Sequence, residues 1–190
     1  MENRSSSELI EALGNDVNKC YEELLKATDE GTVDSDGNVD ADYEYHARQL
    51  VRTIFAFIEG VTFSMKVKAA SHCLDNRIEI TDGERFFAVD KDHILTDKGR
   101  VIERPAHIRL SDNVQLAFAL QEKALRIAKL FDSSCEWWSC FKSSIKVRDR
   151  LTHPKMPEDI DISGDEIVSV LSAYEGFKEQ ALNYSERYKA

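Results

Sequence analysis

The side chains best suited to chemistry lie in one stretch, Ser143-Ser-Ile-Lys-Val-Arg-Asp-Arg-Leu-Thr-His-Pro-Lys155. Arg148 and His153 stand five residues apart at the end of a helix-like run that Pro154 stops. An arginine fork can stabilise charge growing on phosphate oxygens, and a histidine exchanges protons near neutral pH. That pair suits a phosphodiester. RNA carries its own nucleophile, the 2′-hydroxyl, so such a site needs no metal. The local charge agrees: from Phe141 to Lys155, Lys142, Lys146, Arg148, Arg150 and Lys155 face Asp149 alone, a balance of +4 in a chain of net charge −10. Lys146, Arg150 and Lys155 are therefore candidate phosphate contacts. A short, solvated cationic face is the plain alternative.

The element that must position these residues is a helix. At about 100° per residue, Val147, Cys140, Leu151, Ser144, Trp137, Phe141, Thr152, Ile145 and Trp138 fill one half of its wheel. Arg148 falls in the middle of that apolar half. It either snorkels or pairs with a buried carboxylate, Glu59 being the candidate, or it occupies a cleft within an interface. Proline disfavours the helical conformation in the residue before it, so the helix ends at or near Thr152 or His153. Residues five apart on an unbroken helix point about 140° away from each other. The forced exit gives His153 a way to swing back toward Arg148.

Five helices are expected around this one stretch and a small β element. Ser7–Thr28 shows apolar residues (Leu9, Leu13, Val17, Tyr21, Leu24) at helical spacings. The acidic string from Asp34 to Asp40 is like the start of a calcium loop, but its sixth and twelfth positions hold Val39 and Tyr45 instead of glycine and glutamate. A solvated turn with an N-cap at Asp40 or Asp42 is the better reading. A long helix over about Tyr43–His72 is apolar almost all round in its middle, where Glu59 is the lone charge from Thr53 to Met65. Residues 77–110 then read as two hairpins: Ile78–Ile80 with Phe86–Val89 around Asp82-Gly83, and Ile94–Thr96 with Val101-Ile102 around Lys98-Gly99. Ser111 is placed to cap a third helix reaching Leu130. Capping boxes Ser133-x-x-Glu136 and Ser163-x-x-Glu166 announce the fourth and the last. The fold expected is mainly α, an up-and-down helical bundle of about five helices with an antiparallel β insertion around 77–110, in a single domain over 1–190.

The 190 residues allow one sizeable core. The acidic balance argues against broad nucleic-acid or membrane binding, while leaving room for a local basic site. The four cysteines show no CxxC pair, and Cys135-x4-Cys140 has no second ligand pair, so neither a disulfide scaffold nor a zinc site is expected. A polar N-terminus without an apolar run predicts no signal peptide, no segment is apolar enough for a membrane span, and a cytoplasmic location is expected.

Arg148-Asp-Arg-Leu-Thr-His153 resembles the R-x4-H signature of the HEPN superfamily, with a polar residue after the arginine and a proline after the histidine. The setting is similar too: a helical domain, with the motif at the end of a late helix and one more helix following. The resemblance spans roughly Tyr43–Tyr188. It implies a metal-independent, cofactor-free endoribonuclease of toxin or phage-defence type, working as a homodimer in which two motifs build one composite site. Arg148 would then hold the scissile phosphate, His153 would transfer the proton, and Asp149, where asparagine is frequent in the family, would orient one of them. An antitoxin or nucleotidyltransferase partner is also implied. Two other readings stay open: a HEPN-like binding or regulatory module without catalysis, and a helical dimerisation protein in which both residues are structural.

Overall fold

The computed structural model of the chain describes residues 6–30, 32 and 40–188, so most of the calcium-loop-like string, 34–39, lies outside them. The order of elements is α1 (Ser6–Glu30), α2 (Ala41–Asp75), α3 (Asp82–Ala88), β1 (Lys91–Leu95), β2 (Val101–Pro105), α4 (Leu110–Leu125), α5 (Glu136–Thr152) and α6 (Gly164–Arg187), with a 3-10 turn at Pro157–Ile160. The protein is mainly α with one two-stranded antiparallel sheet among the described residues. Contacts divide it into two compact units, 1–60 with 133–180 and 61–132 with 181–190; α2 and α6 each contribute to both.

The first unit is built from α1, the N-terminal part of α2, α5 and most of α6. Asp40 caps α2 through its Oδ1, which accepts from the amides of Asp42 at 2.9 Å and Tyr43 at 3.1 Å. Helical spacing turns Leu50, Ile54 and Ile58 of α2, Phe141 and Leu151 of α5, and Val170 and Phe177 of α6 into the core. Aromatic pairs fix the packing: Phe57 meets Tyr174 edge-on at 5.4 Å and Phe55 stacks on Phe141 at 6.2 Å. Gly176 marks the tightest approach, since a Cβ there would run into Cβ and Cγ of Trp137. Ser163 and Glu166 form the expected reciprocal box at the start of α6, with Ser163 N donating to Oε2 at 2.9 Å and Glu166 N donating to Ser163 Oγ at 3.3 Å.

In the second unit, the first expected hairpin is instead a helix. Thr81 caps α3: its Oγ1 accepts from Glu84 N at 3.1 Å while its own amide donates to Glu84 Oε2 at 2.7 Å. Asp82-Gly83 is thus the first turn of a helix that a capping box starts, and no strand forms from Phe86 to Val89. The second hairpin is present, with Ile94 opposite Ile102, Leu95 opposite Val101, and Gly99 at φ +68° in the loop between them.

Two helix boundaries also differ from expectation. Helix α4 begins at Leu110 with Arg109 as N-cap, so Ser111 lies inside it and bonds Asp112 instead of capping. It stops at Leu125, short of Leu130, because Arg126 turns left-handed at φ +54° and Ile127 N donates back to Glu122 O at 3.0 Å. Glu122 Oε1 then holds the returning chain through the amides of Leu130 (2.7 Å) and Phe131 (3.0 Å). Helix α5 starts at Glu136 with Cys135 as N-cap and no side-chain cap bond; Glu136 comes first in the helix, two places too early to close a box with Ser133.

A fully buried cation organises this unit. Lys66 donates to Phe87 O at 2.9 Å, to Asn113 Oδ1 at 2.6 Å and to the Asp90 carboxylate, so all three of its protons have acceptors. Burial pushes the Lys66 ammonium below the usual lysine range, and the hydrogen-bonded charge of Asp90 opposes that shift.

Candidate functional site

All the candidate residues lie in the first unit, on α5, on the turn after it and on the facing stretch of α2. Five side chains of α5 are buried, namely Trp138, Phe141, Ser144, Val147 and Leu151, and Arg148 stands beside them with its side chain 24% exposed. Its guanidinium lies over the Phe55 ring, 5.5 Å from the centroid. Nη2 donates to Glu59 Oε1 at 2.8 Å, and Nη1 lies 3.1 Å from Asp149 Oδ1. The Nε proton is buried and has no hydrogen-bond partner among the described residues. The arginine in the apolar stripe is thus held between two carboxylates and an aromatic face. Phe55 and Glu59 reach it together because residues four apart share one face of α2.

Helix α5 ends at Thr152, and His153 is its C-cap at φ −129° and ψ 55°, outside helical geometry. Its amide donates to Asp149 O at 3.0 Å, and Thr152 Oγ1 donates to Arg148 O at 2.8 Å, which closes the last turn. The imidazole itself is exposed. No hydrogen bond or ion pair joins it to Arg148 or to any other described residue. Within one chain, therefore, Arg148, Asp149 and Glu59 come together while His153 stands apart at the helix end.

The expected phosphate contacts divide. Arg150 is committed to the fold: Nη1 donates to the carbonyls of Asp159 (3.2 Å) and Asp161 (2.6 Å), and Nη2 lies 2.7 Å from both oxygens of Glu166. It ties the segment after α5 to the start of α6. Burial pushes the Glu166 carboxyl up, but the Arg150 guanidinium and the Ser163 amide more than offset it and leave it below the ordinary range. Lys146 and Lys155 are exposed, and their ammonium groups have no ion-pair partner among the described residues. Lys146 lines a cleft of about 360 Å³ between α5 and α6, walled also by Ser143, Val147, Arg150, Glu166 and Ser169.

One residue near the site was missed. Arg52 is exposed on α2, and its Nη2 donates to Leu151 O at 3.3 Å, in the last turn of α5. Arg48, one turn earlier, reaches Ile160 O at 3.4 Å and pairs with Glu44. The spacing Arg48, Arg52, Phe55, Glu59 places all four on one face of α2, and that pattern is visible in the sequence. Which helix the face meets is not.

Among the described residues no group of three or more His, Cys, Asp or Glu side chains is arranged to hold a metal ion, and no helix is long and apolar enough to cross a membrane. No protein-family model, no curated protein and no solved structure matches the chain.

Proposed function

We propose that the chain is a metal-independent endoribonuclease of the HEPN type, in which Arg148 stabilises charge on the scissile phosphate and His153 transfers the proton of the 2′-hydroxyl attack. One observation carries the reading: a half-buried guanidinium with an unpartnered Nε sits on an aromatic face, and an exposed imidazole is released at the end of the same helix. The attacking 2′-oxygen gives up its proton, the 5′-oxygen leaves and takes one, and the products are a 2′,3′-cyclic phosphate and a 5′-hydroxyl. Because no hydrogen bond or ion pair joins the Arg148 and His153 side chains of one chain, the reading calls for a homodimer in which a second copy completes each constellation. Asp149, paired with Arg148, is the positioning residue. A toxin or phage-defence role in the cytoplasm, checked by an antitoxin or a nucleotidyltransferase, belongs to this same proposal.

The Glu59 pairing favours a second reading. An arginine gripped by two carboxylates is also a good clamp between α2 and α5. The chain would then be a non-catalytic HEPN-like binding module or a helical dimerisation protein.

Labelled RNA incubated with the purified protein in EDTA separates the two. The nuclease reading expects cleavage with cyclic-phosphate ends, reduced at least about a hundredfold by Arg148→Ala and by His153→Ala. Several RNAs left intact by the parent, or variants that cleave as well as it does, would refute that reading. Gel filtration at micromolar concentration should show a dimer.

A further inference from the structure

We propose that Arg52 is the phosphate-docking residue of the candidate site, holding an RNA phosphate next to the one at Arg148; this inference rests on the nuclease reading. The charge around Arg148 creates the need. Arg148 contributes one positive charge, and Glu59 and Asp149 contribute two negative ones, all within ion-pair distance. The core of the site is thus net −1, a poor receptor for a phosphodiester. Of the described arginines in this unit, Arg48 pairs with Glu44, Arg148 with Glu59 and Asp149, and Arg150 with Glu166. Arg52 alone has no carboxylate partner among the described residues.

Its position supplies what the core lacks. The single hydrogen bond from Nη2 to Leu151 O occupies one of five guanidinium protons and fixes the group at the last turn of α5, between the levels of Arg148 and His153. Leu151 is three residues beyond Arg148, about 4.5 Å further along the helix axis. The residue is exposed, and no other hydrogen bond from its guanidinium to a described residue is formed. A planar fork anchored at one corner and free at the others is suited to bidentate contact with a phosphate. The anchor is a carbonyl at the negative end of the α5 dipole, so it places the cation without neutralising it.

A helix-capping role predicts the same contact and no RNA phenotype, so the test must read RNA binding. Affinity for a labelled single-stranded RNA oligonucleotide is measured against salt for the full chain carrying His153→Ala, alone and combined with Arg52→Gln or Arg52→Lys. Cleavage by the parent chain and by the chain carrying Arg52→Gln alone is followed alongside. Arg52→Gln is expected to weaken binding about tenfold and to make the log–log salt slope about 0.7 shallower. Arg52→Lys, which keeps the charge and spares the fold should glutamine unfold it, is expected to keep the slope and lose about threefold in affinity. If the parent cleaves RNA and both Arg52 variants bind with the affinity and slope of the chain carrying His153→Ala alone, Arg52 is only a cap and the inference is overturned, with the nuclease reading left standing. If the parent neither binds nor cleaves RNA, the nuclease reading falls and takes the inference with it.

Discussion

Replacing Glu59 by glutamine keeps the shape of the side chain and removes the charge that Arg148 faces. The Arg148 Nη2–Glu59 Oε1 distance is 2.8 Å, with the Glu59 side chain 52% exposed and that of Arg148 24% exposed. Two unit charges about 4 Å apart interact by about 4 kcal/mol at an effective dielectric of 20 and by about 1 kcal/mol in water. The half-exposed carboxylate places this pair near the lower figure, close to the upper end for measured surface pairs, so about 1 kcal/mol is a reasonable value. A phosphodiester that takes Nη2 must displace Glu59, and that energy is subtracted from RNA binding. Glu59→Gln should therefore tighten binding of a single-stranded RNA oligonucleotide about fivefold. It should also cost about 1 kcal/mol of folding stability. Phe55 and Asp149 remain to hold the guanidinium in place. The assay is fluorescence anisotropy in the His153→Ala background, with Arg148→Ala as the companion variant, which should weaken binding. Unchanged or weaker binding by Glu59→Gln, in a chain that still binds RNA, would refute the idea that Glu59 competes with phosphate for Arg148.

Lys66→Met takes the donor away from Phe87 O, Asn113 Oδ1 and the Asp90 carboxylate, and should lower stability by about 3 kcal/mol; a urea midpoint within about 0.5 kcal/mol of the parent would contradict the assigned role of this cation. Gly176→Ala pushes a methyl into Trp137 and should cost about 1–3 kcal/mol, read as a lower urea midpoint and a changed tryptophan emission. Acid should weaken the fold through Glu166 and through Glu84. Burial raises the Glu84 carboxyl, but Lys123 and Thr81 outweigh it and leave it lowered. Carboxyls lowered in the folded state contribute fully above their unfolded value of about 4.3, and that contribution is lost as pH falls through the folded value. Urea midpoints measured from pH 6 down to pH 3 should therefore fall less steeply for Glu166→Gln than for the parent, and parallel curves would count against the Arg150 pairing as the cause.

Local chemistry was legible where a signal and its reader lie within a few residues. The cap at Asp40, the Ser163–Glu166 box, the Lys98-Gly99 hairpin and the end of α5 before Pro154 all depend on backbone groups nearby. The failures have local causes too. Thr81-x-x-Glu84 is the same box as Ser163-x-x-Glu166, yet Asp82-Gly83 inside it reads just as well as a hairpin turn. At Arg126 the chain adopts a left-handed turn without glycine, stabilised by Glu122 taking the amides of Leu130 and Phe131 beyond it. Ser133-x-x-Glu136 has the right letters, but its glutamate opens the helix instead of standing third in it.

The candidate site divides along the same line. By itself the sequence determined that Arg148 lies on the apolar face of a helix and that His153 lies at that helix's end, because periodicity and proline geometry act through adjacent residues. Tertiary structure decided the rest. It placed Glu59 and Phe55 against Arg148 across 89 and 93 residues of chain, committed Arg150 to Glu166, and brought Arg52 to the last turn of α5. Those choices depend on which helix faces meet and in what register. Both are set by packing of the buried aromatic and aliphatic side chains between helices, and no spacing within a single helix encodes them.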